Sequence, residues 1–220
     1  MLLAAVVGSG IMAERLSGGN QALALLANTV ATGAALVALI LTFGPISGAH
    51  FNPAVTVADA SQGGLAWRDV PGYVGAHLAG AVVGVWSAHA MFQERVFMVS
   101  LHARSGPAQL LSEFVATFGL LSVIWGCSRR RPAAVPFAVA AYITSAYWFT
   151  ASTSFANPAV TFARALTDTF AGIRPMDVPG FIVAQFIGAM VATLLFRWLV
   201  PAVPDTAREV VVPPFSGESR

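Results

Sequence analysis

Apolar residues fall in blocks of membrane length separated by short polar connections. A membrane-spanning helix needs about 20 such residues, and six blocks are read as helices on that basis. They run from Met1 to about Met12, Gln21 to Gly44, Val70 to Phe92, Leu110 to Cys127, Ala133 to Ala151 and Val178 to Val200. The first is too short for a full span. The polar breaks include 93–108, with Glu94, Arg95, His102 and Arg104, and the run Arg129-Arg130-Arg131-Pro132. Beyond Pro201, charges are mixed with Pro204, Pro213 and Pro214, so 201–220 is expected to be a disordered tail.

Two shorter elements interrupt this pattern. Asn52-Pro53-Ala54-Val55-Thr56 recurs as Asn157-Pro158-Ala159-Val160-Thr161, each copy just after a membrane-length block. Each reads as a helix start: asparagine caps with its side-chain oxygen, and proline suits the first helical position, where its missing N–H costs nothing. The spacing predicts short helices over about 53–60 and 158–166. Both sit in apolar surroundings, so their positive N-terminal ends must face something. Two half-length helices meeting head to head at mid-membrane, with a pore at their tips, meet that need.

The halves repeat beyond the motif. Asp69-Val70-Pro71-Gly72-Tyr73 matches Asp177-Val178-Pro179-Gly180-Phe181, and Ala76-His77 with Gly80-Ala81 matches Ala184-Gln185 with Gly188-Ala189 at the same offset. Each half thus reads span, span, half-helix, span, giving one domain over 1–200 with repeats 1–92 and 109–200. Three spans per half is an odd number, so the second half inserts upside down. Inverted repeats place their site where broken helices meet at the midplane, and irregular backbone survives there only beside a cavity or inside protein. Gly80 and Gly188, like Gly33 and Gly48, are expected at close helix crossings. The arginine triplet puts the 128–132 connection in the cytoplasm by the positive-inside tendency. The C-terminus then lies inside by parity, in a bacterial-type plasma membrane.

Composition narrows the class. Of 220 residues 56% are hydrophobic and 10% charged, with mean hydropathy +0.72, against about 25% charged in a soluble domain. All basic residues are arginine, scattered near predicted helix ends, which argues against nucleic-acid binding. The single cysteine, Cys127, excludes an internal disulfide and a cysteine-based metal cluster. No basic run precedes the first apolar block, so no cleavable signal peptide is expected. No His, Cys, Asp and Glu grouping has metal spacing, no phosphate-cradling loop is present, and neither a cofactor nor enzymatic chemistry is expected.

The segment Ser47-Gly48-Ala49-His50-Phe51-Asn52-Pro53-Ala54-Val55-Thr56, the second Asn-Pro-Ala, the inverted repeat and Glu113 early in the fourth span closely resemble the aquaporin and glycerol-channel family, the major intrinsic proteins. The resemblance covers the chain to about Val200. It implies an all-α membrane fold of six spans plus two re-entrant half-helices, a homotetramer in the lipid bilayer, and one pore per subunit. It also implies that Glu113 is a structural buried acid accepting hydrogen bonds from backbone near the second motif. Three departures stand out. The family's opening helix begins about a dozen residues earlier with a glutamate, and this sequence starts after that point. The arginine usual after the second Asn-Pro-Ala is Val160. The other outer-filter positions map, by ungapped spacing, onto Thr32, Ser145 and Ser154, all small.

In the implied site Pro53, Ala54, Pro158 and Ala159 shape the tips, while Asn52 and Asn157 present amide NH2 groups to the solute. Water or an alcohol accepting from both points its hydrogens away from the centre, which interrupts a proton wire. Each helix end carries roughly half a positive charge; a cation about 4 Å away, at an effective dielectric of about 20, meets roughly 2 kcal/mol per end. Thr32, Ser145, Ser154 and Val160 imply a wide, uncharged ring passing glycerol-like polyols and water. Arsenous acid joins them because family members lacking the arginine resemble those associated with metalloid resistance. Arg164, one turn past Val160, either charges the vestibule or snorkels or pairs with Asp168. His50 is expected in the cytoplasmic half of the pore, and His77 and His89 as packing or interface residues. The alternatives are a water-selective pore and an ion-coupled secondary transporter, for which Glu113 is the one candidate group.

Overall fold

The computed structural model describes residues 1–199, so the tail expected over 201–220 lies outside the described residues. Within them the chain forms helices α1 (Leu2–Leu16), α2 (Gln21–Ser47), α3 (Pro53–Ser61), α4 (Val70–Phe92), α5 (Pro107–Ser128), α6 (Val135–Phe149), α7 (Pro158–Arg164) and α8 (Val178–Leu199). Six are the expected spans, and α3 and α7 are the half-helices. The segments α2, α4, α5 and 175–199 are long and apolar enough to cross a membrane.

Local chemistry accounts for the boundaries. Helix α1 runs past the apolar block because Ala13, Glu14, Arg15 and Leu16 are good helix formers. It stops before Gly18 and Gly19, both at positive φ. Arg15 ties its end to Glu94 at 2.8 Å. Helix α2 starts at Asn20, whose side chain accepts from the Leu23 N–H at 3.1 Å, and stops at Gly48 in the left-handed region. Gly48 therefore terminates a helix and does not sit at a crossing. Helix α6 is shorter than its apolar block. Pro132–Ala134 form a separate tight turn, and the chain leaves the helix in extended conformation at Thr150.

The pairs α1–α4 and α5–α8 pack as pseudo-equivalents, and α2 crosses α6. Glycine permits the closest approaches. A Cβ on Gly188 would lie 2.5 Å from the Phe114 carbonyl oxygen, and one on Gly84 would lie 2.9 Å from Leu3 Cβ. Gly33 lies directly against Thr144 of α6. Gly80, the sequence counterpart of Gly188, faces open space, so Gly84, one turn on, serves in its place.

The inverted repeat extends to individual torsions. Before the first motif Gly48, Ala49 and Phe51 have φ of 71°, 46° and 48°; before the second, Thr153, Ser154 and Ala156 have 61°, 50° and 48°. Left-handed backbone is uncommon for residues with a Cβ. Five such residues in two matched loops mean that surrounding contacts impose the conformation.

Candidate functional site

Both motif asparagines cap their helices and cross-link them. Asn52 Oδ1 accepts from the Ala54 N–H at 2.9 Å, and Asn157 Oδ1 from those of Ala159 and Val160 at 3.0 and 3.3 Å. Each Nδ2 then donates across the junction: Asn52 to the Ala156 carbonyl at 2.7 Å, Asn157 to the Phe51 carbonyl at 2.8 Å. The lock is reciprocal, and one N–H of each amide remains for other partners. The fifth motif residue has a role as well, since the Thr56 and Thr161 hydroxyls donate back to the Asn52 and Asn157 carbonyls at 3.1 and 2.8 Å.

Glu113 holds the second loop. Its carboxylate is fully buried. It accepts from the backbone N–H groups of Phe155 and Ala156, both at 2.9 Å, and from Gln185 Nε2 at 2.6 Å. Gln185 Nε2 also donates to Thr161 at 2.8 Å, so α5, α7 and α8 meet at one polar node. His77 is the counterpart of Gln185, and its buried Nδ1 has no partner among the described residues.

A narrow cavity of about 70 Å³ passes this junction. Its wall includes Asn52, Asn157, Thr32, Ser154, Val160, Arg164, Tyr147, Phe155 and His50. Ser145 is absent from that wall. Its side chain is exposed and its hydroxyl donates to the Tyr142 carbonyl at 2.7 Å. Tyr147, two residues on, takes the inward place, with its hydroxyl 3.4 Å from Thr32 Oγ1. The ring thus holds an aromatic side chain where a third small residue was expected. It is also charged: Arg164, only 3% exposed, borders the cavity, donates from Nε to the Ala171 carbonyl and stacks on Phe155 with Cζ 3.4 Å from the ring centroid. Arg164 neither snorkels nor pairs with Asp168, whose carboxylate accepts from the Leu101 N–H at 2.8 Å.

Towards the other end, His50 lies 3.5 Å from Asp59 through Nε2 and 3.1 Å from Thr56 Oγ1 through Nδ1. The two halves carry matched pairs: His50 with Asp59 in the first, Phe155 with Arg164 in the second. A second cavity of about 570 Å³ opens alongside, between α1, α2 and α4, sharing His50 and Phe51 and bordered by Tyr73 and His77. His89 is buried and hydrogen-bonded through both ring nitrogens, Nδ1 with the Val96 carbonyl at 3.0 Å and Nε2 with the Thr167 hydroxyl at 2.8 Å. Sequence reasoning missed Tyr147, Phe155, Gln185 and Arg104. The motif offset marks Phe155 as the mate of His50, the separate offset of the following span marks Gln185 as the mate of His77, and these were the usable signals for the two.

A bundle of membrane-length helices that holds two half-helices tip to tip beside a narrow cavity is the architecture of a membrane channel. Comparison with known proteins gives the family. The major intrinsic protein family model matches residues 1–134 and 128–217, and the chain belongs to that family. It is 56% identical over 205 residues to the aquaglyceroporin AqpS of Rhizobium meliloti (strain 1021), covering 93% of this chain and 88% of that protein. It is 32% identical over 180 residues to the probable aquaporin AqpM of Archaeoglobus fulgidus, covering 75% of this chain and 72% of AqpM. The X-ray structure of the aquaglyceroporin from Plasmodium falciparum superposes with a TM-score of 0.65 at 19% identity, over 92% of this chain and 93% of that one, a likeness of fold.

Proposed function

We propose that this protein is a passive membrane channel for small neutral solutes, with glycerol and water as its basic cargo. The observation that carries this reading is the crosswise asparagine lock beside the cavity. It fixes two half-helix ends and two amide N–H donors around one passage. Neutral molecules that accept hydrogen bonds replace their hydration there. An ion meets two partial positive charges and a dehydration cost of several kcal/mol. Arsenous acid, uncharged and bearing three hydroxyls, belongs to the same solute class. A water-restricted pore is the second reading, favoured by Tyr147 in the wall. The connection after α5 is cytoplasmic by its arginine triplet, which places the mouth beside Arg164 outside and the described end of α8 inside. Four copies assemble in the bilayer, as the resemblance to the family implies.

Stopped-flow light scattering of proteoliposomes under separate water, glycerol and arsenite gradients tests the reading. Glycerol and arsenite flux above protein-free vesicles is expected. Water flux with glycerol excluded selects the second reading, and no flux of any solute defeats both.

A further inference from the structure

We infer that the corner of the bundle where α5 and α8 end is a binding site for the headgroup of an anionic phospholipid, formed by Arg129, Arg130, Arg131 and Arg197. The site is separate from the cavity and independent of the solute that the pore carries.

Contacts between α5 and α8 bring the four arginines together. Trp125 Nε1 donates to Thr193 Oγ1 at 3.1 Å, and one turn further Arg129 Nη1 donates to the Phe196 carbonyl at 2.9 Å. The Arg129 guanidinium also lies over the Trp125 and Phe196 rings, with Cζ 5.9 and 5.6 Å from their centroids. Arg197 directly follows Phe196, and Arg130 and Arg131 directly follow Arg129. The side chains of Arg130, Arg131 and Arg197 are exposed. Among the described residues none of the three forms an ion pair, whereas Arg15 and Arg174, at the opposite end of the bundle, hold Glu94 and Asp177 at 2.8 and 3.0 Å. The sequence supplies no carboxylate side chain over 114–167 or 178–199.

A topology signal needs only a count of charges. The surroundings of this cluster point to a ligand as well. Val191, Leu194 and Trp198 are exposed and, at spacings of three and four, lie on one face of α8 that leads to the cluster. In a bilayer acyl chains cover such a face, and a tryptophan at its end marks the headgroup level. A phospholipid lying along α8 therefore carries its phosphate to the height of the arginines. Clustered basic residues at the end of a spanning helix attract anionic lipid. All four positions are arginine, whose planar fork can grip two phosphate oxygens at once, where lysine would offer a point charge. The Phe196 carbonyl and the two aromatic rings hold Arg129 in place, so part of the site is set before lipid arrives.

The test uses the full chain in phosphatidylcholine vesicles containing a minor fraction of phospholipid brominated on its acyl chains. Bromine quenches tryptophan fluorescence on contact, and the difference between each protein and its Trp198→Phe counterpart isolates the signal at this corner. Brominated phosphatidylglycerol should quench that signal at several-fold lower content than brominated phosphatidylcholine. Each arginine near the surface contributes about fivefold to the attraction of anionic lipid. Arg197→Gln should therefore lower the preference about fivefold, and Arg130→Gln combined with Arg131→Gln should lower it further. Equal quenching by the two lipids in the wild type, or a preference that survives both sets of substitutions, overturns the proposal. If the double variant fails to assemble, Arg197→Gln decides alone. Exchanging chloride for inorganic phosphate at constant ionic strength should leave the preference intact; its loss would assign the cluster to a free anion and overturn the lipid site. Both leaflets carry the same lipids, so the result does not depend on the orientation of the chain, and a failure here leaves the channel reading standing.

Discussion

Replacing Glu113 with glutamine changes almost no volume and isolates what the carboxylate does. In the wild type one oxygen accepts from the Phe155 N–H, and the other from Ala156 N–H and Gln185 Nε2. A glutamine amide has one acceptor oxygen and one NH2 group. Its best orientation keeps the Ala156 and Gln185 bonds and turns NH2 towards the Phe155 N–H, leaving two buried donors face to face. One charge-assisted bond is lost, two others weaken, and a buried N–H is orphaned, at a combined cost of about 3 kcal/mol. For a chain of this size that corresponds to a fall in melting temperature of roughly 6–12 °C. The same loop presents the Ala156 carbonyl to Asn52, so flux should fall with stability. Thermal unfolding of detergent-purified Glu113→Gln, followed by intrinsic tryptophan fluorescence, gives the first number, and proteoliposome water flux gives the second. A melting temperature within about 2 °C of wild type would refute the structural role, because a loss of this size must register. Flux that became insensitive to an ion gradient at unchanged stability would point to ion coupling.

Three further predictions test other parts of the account. Gly188→Ala should abolish stable folding, because its Cβ meets the Phe114 carbonyl at 2.5 Å and the Phe118 nitrogen at 3.0 Å, both backbone. Gly80→Ala, in open space, should melt with the wild type; equal melting of the two variants would contradict the packing of α5 on α8. Asn52→Asp replaces a donor to the Ala156 carbonyl with a charge. At about 4 Å and an effective dielectric of about 20 that charge attracts a cation by roughly 4 kcal/mol, cancelling the helix-end repulsion. Cation leak should appear in planar bilayers, and an electrically silent variant would argue against this position in the pore. Val160→Arg places a second guanidinium one turn from Arg164 and should reduce glycerol permeability at least several-fold. Unchanged permeability would show that Val160 does not line the narrow part.

Much of this fold is legible in the sequence because it depends on local rules. The ends of α4 fall where the apolar block ends, and both half-helices begin at their asparagine caps. Repetition made the inverted architecture readable, since two copies of one helix start constrain each other. The ring around the cavity was less legible. Counting from the motifs without gaps put Ser145 inside, but α6 ends at Phe149 and the chain then turns through Thr153, Ser154 and Ala156 at positive φ before the second motif. A register error of two residues turns a helix face by about 200°, which accounts for Ser145 on the outside and Tyr147 within. Arg164 could be placed on the Val160 face by spacing, but its seat against Phe155 depends on Arg104 and Phe181, distant in sequence. Gln185 was visible only as the partner of His77 across the repeat. Its bridge from Glu113 to Thr161 requires the packed bundle.

The central claim is that the two half-helix tips form a passage for uncharged molecules that ions do not share. The most direct measurement records glycerol flux and electrical current on the same reconstituted vesicles, with a glycerol gradient and an imposed membrane potential. The account predicts glycerol flux that rises linearly with the gradient, is indifferent to the potential, and carries no current above protein-free vesicles. Glycerol movement that saturates and requires an ion gradient, or a current that tracks it, would contradict the account.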